Sequence, residues 1–114
     1  MSEVSPHQPG HSQLVIVANG HLSYEIFRAP ASQLPELRRL VEKLTPFKAR
    51  LFPIWGFDEV IQELRHNKVR LGLGWDNWSG LYLMAYCEAG DRVLRELAPL
   101  LDAETVHWPP EEKT

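Results

Sequence analysis

The residues best suited to recognition form one short segment, Gly74-Trp75-Asp76-Asn77-Trp78-Ser79-Gly80. Asp, Asn and Ser side chains form hydrogen-bonded turns, and glycine relieves the backbone there. Trp78 breaks the alternation of the residues before it, which predicts that it projects from a hairpin tip. An exposed tryptophan beside polar side chains suits a hot spot for a protein partner, or stacking on a sugar or a base. The alternative is that the tryptophans complete the core and the polar residues only turn the chain.

A second candidate surface is the apolar segment from Phe47 to Phe57, which contains Phe52 and Trp55. The segment has no regular period, and its prolines argue against a helix or a central strand. Such a loop either packs as a satellite of the core or forms an exposed patch that marks an interface. Both interpretations stay open at this point.

A third candidate is the aromatic face of the strand that follows the tip, where Tyr82, Met84 and Tyr86 alternate with core residues. Together with Lys68 and Arg70 on the preceding strand they suggest an open sheet surface, and aromatic residues on such a surface can stack bases. No RNA-recognition signature accompanies them, so a helix packed over the tyrosines is the simpler interpretation. The predicted binding residues are Trp75, Asp76, Asn77, Trp78, Ser79, Phe52, Trp55 and Tyr82.

Metal and phosphate chemistry find little support in the spacing of residues. His7 and His11 have the i, i+4 spacing of a metal pair, but proline and glycine surround them, so no helix holds them together. Gly72 and Gly74 lie within a strand pattern without the following helix that a phosphate cradle needs. We therefore expect no metal and no cofactor.

Catalysis is also weakly supported. Cys87 ends an apolar strand face, where a buried structural thiol is more common than a nucleophile. No carboxylate pair stands out as a general acid and base. An enzyme remains a hypothesis only if its site is assembled from scattered residues. The candidates for such a site are Asp76, Ser79, Tyr82, Glu25 and His21.

Two hairpins are predicted to form the sheet. Asn19-Gly20 lies between two apolar runs, which predicts a two-residue turn that pairs Val17 with Leu22 and Val15 with Tyr24. Residues 68–75 alternate between apolar and polar or small side chains, as in a half-buried strand, and residues 80–87 form the next strand.

Three helices are predicted around this sheet. Helical spacing of apolar residues occurs over residues 33–45 and again over residues 57–66. Asp91 is a candidate N-cap for a third helix, which Pro99 should kink or split, and Thr105 to Trp108 could add a short edge strand. The order ββααββα predicts an α+β fold, with an antiparallel sheet of two hairpins and helices packed mainly on one face. The order of the strands in the sheet cannot be read from the sequence.

The length of 114 residues fits one domain, which we place at residues 13–108 after a disordered lead-in (1–12) and before a charged tail (109–114). A net charge of −3 implies neither a nucleic-acid binder nor an acidic mimic of nucleic acid. The single cysteine allows no internal disulfide, and no secretory signal or membrane-length apolar run is present. We expect a cytoplasmic protein.

These observations favour a non-enzymatic protein-binding domain, such as a small inhibitor, an immunity-type protein or a subunit of an assembly. The expected partner is another protein, and a homodimer is compatible with the sequence. The alternatives are a small-ligand or carbohydrate binder at the tip from Trp75 to Trp78, and the scattered-site enzyme.

Overall fold

The computed structural model describes residues 12–50, 53–56, 58–105 and 108, and these form an α+β fold with one antiparallel sheet. The strands are β1 (Ser12–Ile16), β2 (Leu22–Ile26), β3 (Lys48–Ala49), β4 (Ile54–Trp55), β5 (Glu59–His66), β6 (Val69–Asp76) and β7 (Gly80–Ala85). The helices are α1 (Leu34–Leu44), which follows a short 3-10 helix, and α2 (Glu88–Thr105). The predicted α+β class is confirmed. Ser12, assigned to the lead-in, begins β1, and the rest of the lead-in and the tail lie outside the described residues.

The sheet has the strand order β1-β2-β7-β6-β5, and the short strands β3 and β4 both pair with β5. The two predicted hairpins are neighbours because β2 pairs with β7. Directly paired residues share a face of the sheet, so the register defines rows of side chains across it. One such row runs from Leu14 through Tyr24, Leu83 and Leu73 to Gln62.

The core lies between this row's face and the two helices. The residues that α1 and α2 bury against the sheet are Leu34, Leu37, Leu40, Val41, Leu94, Leu97 and Leu101. Each recurs at the three- and four-residue spacing of one helix face. The opposite face of the sheet is covered by neither helix, and we call it the open face. None of the described helices has the length and apolar character that crossing a membrane requires.

The predicted helix at residues 57–66 is wrong, because Glu59–His66 forms the strand β5 (Phe57 lies outside the described residues). Val60 and Leu64 are four residues apart, a spacing that a helix face and a strand face share. Inward and outward positions alternate along β5, so that Ile61 faces outward between buried Val60 and Gln62. Residues 59–66 form a strand and not a helix because every one of them pairs with β6.

The predicted register of the first hairpin is wrong by one residue. Leu14, not Val15, pairs with Tyr24, because the turn has three residues. The amide of Gly20 donates to the Val17 carbonyl (2.8 Å), and Gly20 alone in this turn has a positive φ, of 86°. This is the arrangement of a type I turn with a glycine bulge. The slip exchanges the faces of Leu14 and Val15, so Leu14 packs against the core.

The last helix departs from the sequence prediction at both of its ends. α2 begins at Glu88, and Asp91 lies inside its first turn, where its carboxylate accepts the amide of Leu22 (2.9 Å) instead of capping the helix. Pro99 does not split α2. Proline removes one helical hydrogen bond, but Pro99 is exposed, so the freed carbonyl of the preceding turn can bond water. Thr105 ends α2 instead of starting a strand, and residues 106–107 lie outside the described part.

Candidate functional site

The hairpin tip between β6 and β7 is fixed by one carboxylate. Asp76 Oδ1 accepts the amides of Trp78 (2.9 Å) and Ser79 (2.6 Å), so this side chain closes the turn. Gly80 has a φ of +80°, and a Cβ there would overlap the carbonyl oxygen of Ile26. The tip is therefore seated against the end of β2. Trp78 projects from it with 80% of its surface exposed.

Trp75 has a different environment from Trp78, although both belong to the predicted site. Its indole N–H donates to the carbonyl of Ala29 (3.0 Å), and its ring is partly buried against the core. The two tryptophans therefore do not form a shared aromatic cleft. Trp75 ties β6 to the connection between β2 and α1, which supports the tip that carries Trp78.

Strand β4 brings a third tryptophan to the same end of the sheet. Trp55 pairs with Val60, which pairs on its other side with Trp75. Two strand spacings, about 10 Å, therefore separate Trp55 from the strand that leads to the tip. Trp55 is 69% exposed and Ile54 67% exposed, while Phe47 is buried. The apolar loop thus contributes to both the core and the surface. Phe52 lies outside the described residues.

We call this region the tryptophan end, defined as Ile54, Trp55 and residues 76–80. Asn77 lies at its turn, where the chain is exposed. The side chains of Trp55 and Trp78 are separated by more than twenty residues in the sequence, and pairing through β5 and β6 brings their strands together. Whether these residues bind a partner stays a prediction.

The open face beside the tryptophan end carries the tyrosines of β7. No described helix covers them, so the predicted helix over this face is wrong. Tyr82 and Tyr86 instead lie across β6, whose glycines leave room for their rings. A Cβ at Gly74 would stand 2.5 Å from Tyr82 Cζ, and one at Gly72 would overlap the Tyr86 hydroxyl. The rings of Tyr82 and Tyr86 therefore pack directly on the backbone of Gly74 and Gly72.

The charges on the open face are divided along the strands. Tyr82 lies at the acidic end, where burial first, and then the negative charges of Asp76 and Glu59, raise its pKa to about 12. Burial is also the main cause that raises the pKa of Glu25, and the negative charge of Asp76 adds to this effect. These carboxylates lie beside the tip.

The other end of the open face is basic. Arg70 lies over the ring of Tyr86, with 4.3 Å between Cζ and the ring centroid. Arg65 pairs with Lys48 in the register and forms an ion pair with Glu63 (2.7 Å). A cation over an aromatic face contributes about 0.5–1 kcal/mol at an exposed site.

Replacing Glu25 with glutamine should stabilise the protein at neutral pH. A carboxyl whose pKa is raised in the folded state destabilises that state once it ionises, so the unfavourable contribution is present above the folded pKa and disappears below the unfolded value of 4.5. Thermal unfolding of both proteins measures this. The E25Q advantage should be present at pH 7 and should vanish near pH 4. An advantage that persists unchanged at pH 4 would show that ionisation of Glu25 is not its cause.

The scattered residues proposed for catalysis are only partly brought together. Glu25 pairs directly with Tyr82, and Asp76 lies close enough to affect the pKa of both. Ser79 contacts Asp76 through its amide. His21 is four residues from Glu25 along the chain, about 13 Å in a strand, at the opposite end of β2.

His21 belongs to a contact that the sequence analysis missed. Its Nδ1 lies 2.9 Å from Asp91 Oδ2, and this hydrogen bond, with the amide of Leu22, lowers the pKa of Asp91. The two residues are 70 positions apart in the sequence. No local pattern signals such a pair, since it depends on how α2 lies over β2.

A cleft of about 270 Å³ lies on the helix side of the molecule, and none of the predicted binding residues lines it. Its walls include Leu44, Phe47, His66, Leu97 and Leu100. Across the part of the chain that the structure describes, no three His, Cys, Asp or Glu side chains are grouped to hold a metal ion.

The class of this protein, α+β, is defined by its fold alone. No family model, no curated protein and no solved structure matches it.

Proposed function

We propose that this chain is a non-enzymatic protein-binding domain that contacts another protein through the tryptophan end. The observation that carries the proposal is the exposure of Trp55 and Trp78, at 69% and 80%, at the same end of the sheet. Tryptophan is among the residues most enriched at interface hot spots, because it buries a large surface with little loss of side-chain freedom. The proposal includes a cytoplasmic location, which the single cysteine supports.

The tip is suited to this role because it is already ordered. Asp76 holds two amides of the turn, and Gly80 seats the turn against β2. A side chain that projects from an ordered turn loses little backbone freedom when a partner binds. The acidic residues beside the tip favour a protein partner over a nucleic acid, because phosphates would be repelled. A small inhibitor or an immunity-type protein fits this description.

A carbohydrate or other small ligand is the second candidate, and the exposed indole of Trp78 beside Asn77 is the feature that favours it. Sugars bind on exposed aromatic rings flanked by polar side chains. The indole of Trp75 is partly buried and donates its hydrogen bond to Ala29, so Trp78 is the exposed ring at the tip. One exposed ring gives a carbohydrate ligand less support than a protein partner. Tryptophan fluorescence titrated with soluble oligosaccharides separates the two, since the proposed protein-binding role expects no change.

The test places a photo-crosslinking amino acid at position 78 in cells that produce the chain, and at Leu100 in a control. Leu100 is an exposed apolar residue of α2, far from the tip in the sequence. A discrete crosslinked protein from position 78 that position 100 does not give identifies the partner. Equal products from both positions, or none from position 78, would count against the proposal.

The identified partner is then purified, and its affinity is measured for the unmodified chain and for the variants W78A, W55A and L100A. Truncation of a hot-spot residue costs about 2 kcal/mol or more, which is a weakening of roughly 30-fold. We expect this for W78A and W55A and no change for L100A. Trp78 is largely exposed, so circular dichroism should show that W78A folds normally.

A further inference from the structure

The outer edge of β1 carries backbone groups that no described strand uses. The amide of Val17 donates to the His21 carbonyl, and the Val17 carbonyl accepts the amide of Gly20, so the backbone of Val17 faces β2. The direction alternates along an antiparallel strand. Gln13 and Val15 therefore also face β2, whereas Ser12, Leu14 and Ile16 direct their N–H and C=O groups outward. Within the described residues only β2 pairs with β1.

The two edges of the sheet differ in how they are protected. The edge beside β5 consists of two strands of two residues each, with exposed Lys48 and a proline at position 53. Short strands, lysine and proline are the devices by which proteins prevent edge-to-edge pairing. β1 has five residues, Ser-Gln-Leu-Val-Ile, without charge or proline. Ile16 at its end is 72% exposed.

We propose that a second copy of this chain pairs with β1 in antiparallel orientation, about a twofold axis that passes beside Leu14. Leu14 then pairs with the partner's Leu14, and Ser12 with the partner's Ile16. Ser12 and Ile16 lie two residues on either side of Leu14, and the backbone groups of all three point outward. Each of the three can therefore form backbone hydrogen bonds with its counterpart in the second copy. The result is one continuous sheet twice as wide, with both helix layers on the same side.

A second copy fits this edge better than an unrelated strand does. β1 carries no charged side chain, so two copies meet without like-charge repulsion across the pairs. Each pairing of Ser12 with the partner's Ile16 occurs twice, and both exposed isoleucines gain a neighbour. The tryptophan end lies toward the other edge of the sheet, where β4 is located, so both copies keep it accessible.

Light scattering of the full chain across a range of concentrations tests the proposal. We expect a dimer that becomes a monomer in the I16K variant, because a lysine at position 16 places a charge at the edge that pairs. The matched control is L100K, which adds the same charge to an exposed apolar position of α2 and should remain a dimer. A chain that is monomeric up to about 1 mM, or a dimer that I16K leaves intact, would overturn the proposal.

Disulfide crosslinking tests the register in a C87S background. Paired residues of this type have Cα atoms about 5.5 Å apart, within the range of a disulfide. L14C should therefore form a crosslinked dimer under oxidation. V15C is the control, since the twofold axis pairs position 15 with position 13 of the partner and separates the two cysteines. Crosslinking of V15C without L14C would contradict the proposed register.

Discussion

Replacement of Gly74 by alanine is expected to destabilise the protein by about 2–3 kcal/mol, the upper part of the range for a group forced into occupied space. The new Cβ would stand 2.5 Å from the ring of Tyr82 and 2.6 Å from the carbonyl oxygen of Val60. The Tyr82 ring can move, but the carbonyl belongs to the ladder between β5 and β6. Urea unfolding of G74A and the unmodified protein measures the difference.

Gly72 provides the matched comparison on the same strand. A Cβ there meets the end of the Tyr86 side chain and, among its nearest neighbours, no backbone atom. Because Tyr86 is exposed and can turn away, G72A should cost less than G74A, about 1 kcal/mol or below. Y86A should remove the clash in G72A, whereas Y82A should restore only part of the stability of G74A. An equal loss of unfolding free energy in G72A and G74A would show that the β-propensity of the new residue determines the loss, and not its overlap with the tyrosine rings or the backbone.

Both glycines were visible in the sequence, but their role was not. Alternation over residues 68–75 identified the strand and its inward face correctly, because that pattern is local and unambiguous. The reason for glycine on the outward face lies on β7, where Tyr82 and Tyr86 cross the neighbouring strand. The alternation of residues predicts the tyrosines on one face, and a helix over them is the expected cover, since large aromatic residues are usually mostly buried.

Two of the failed predictions share a physical cause, which is that more than one local structure satisfies the same spacing. Val60 and Leu64 fit a helix face and a strand face equally, and only the long pairing with β6 separates the two. Asn19-Gly20 fits a two-residue and a three-residue turn. In the folded protein the three-residue turn places Leu14 over the core beside Tyr24 and leaves Val15 on the open face.

The candidate site was predictable where it is local and not where it is assembled. The residues from Asp76 to Ser79 contain both the turn and the carboxylate that closes it, so the tip and the projection of Trp78 follow from the segment itself. The distinction between inward Trp75 and outward Trp78 depends on strand alternation and was also accessible. The position of Trp55 beside this tip was not, because it requires β4 to pair with the strand that sequence analysis assigned as a helix.

D102A is expected to destabilise the protein by about 2 kcal/mol, an effect second only to that of G74A among the stability changes predicted for this protein. Its Oδ1 accepts the hydroxyls of Tyr24 (2.7 Å) and Ser12 (2.6 Å). Tyr24 is 1% exposed, so truncation of Asp102 leaves a buried hydroxyl without this acceptor. Burial is also the main cause of the strongly raised pKa of Tyr24. Chemical denaturation measures the effect, with exposed Glu104 on the same helix as the control in E104A.

A double-mutant cycle with Y24F separates the hydrogen bond from other contributions of Asp102. Removal of the phenol hydroxyl takes away the group that D102A would leave unsatisfied, so the double variant should be more stable than the sum of the single losses by about 1 kcal/mol. Strict additivity would mean that Asp102 stabilises the protein without Tyr24. Ser12 begins β1, so its separate hydrogen bond to Asp102 connects α2 to the edge strand. If β1 pairs with a second copy, D102A should weaken self-association of the chain, whereas E104A should leave it unchanged. The hydrogen bonds of Asp102 with Ser12 and Tyr24 would then also keep β1 ordered for pairing.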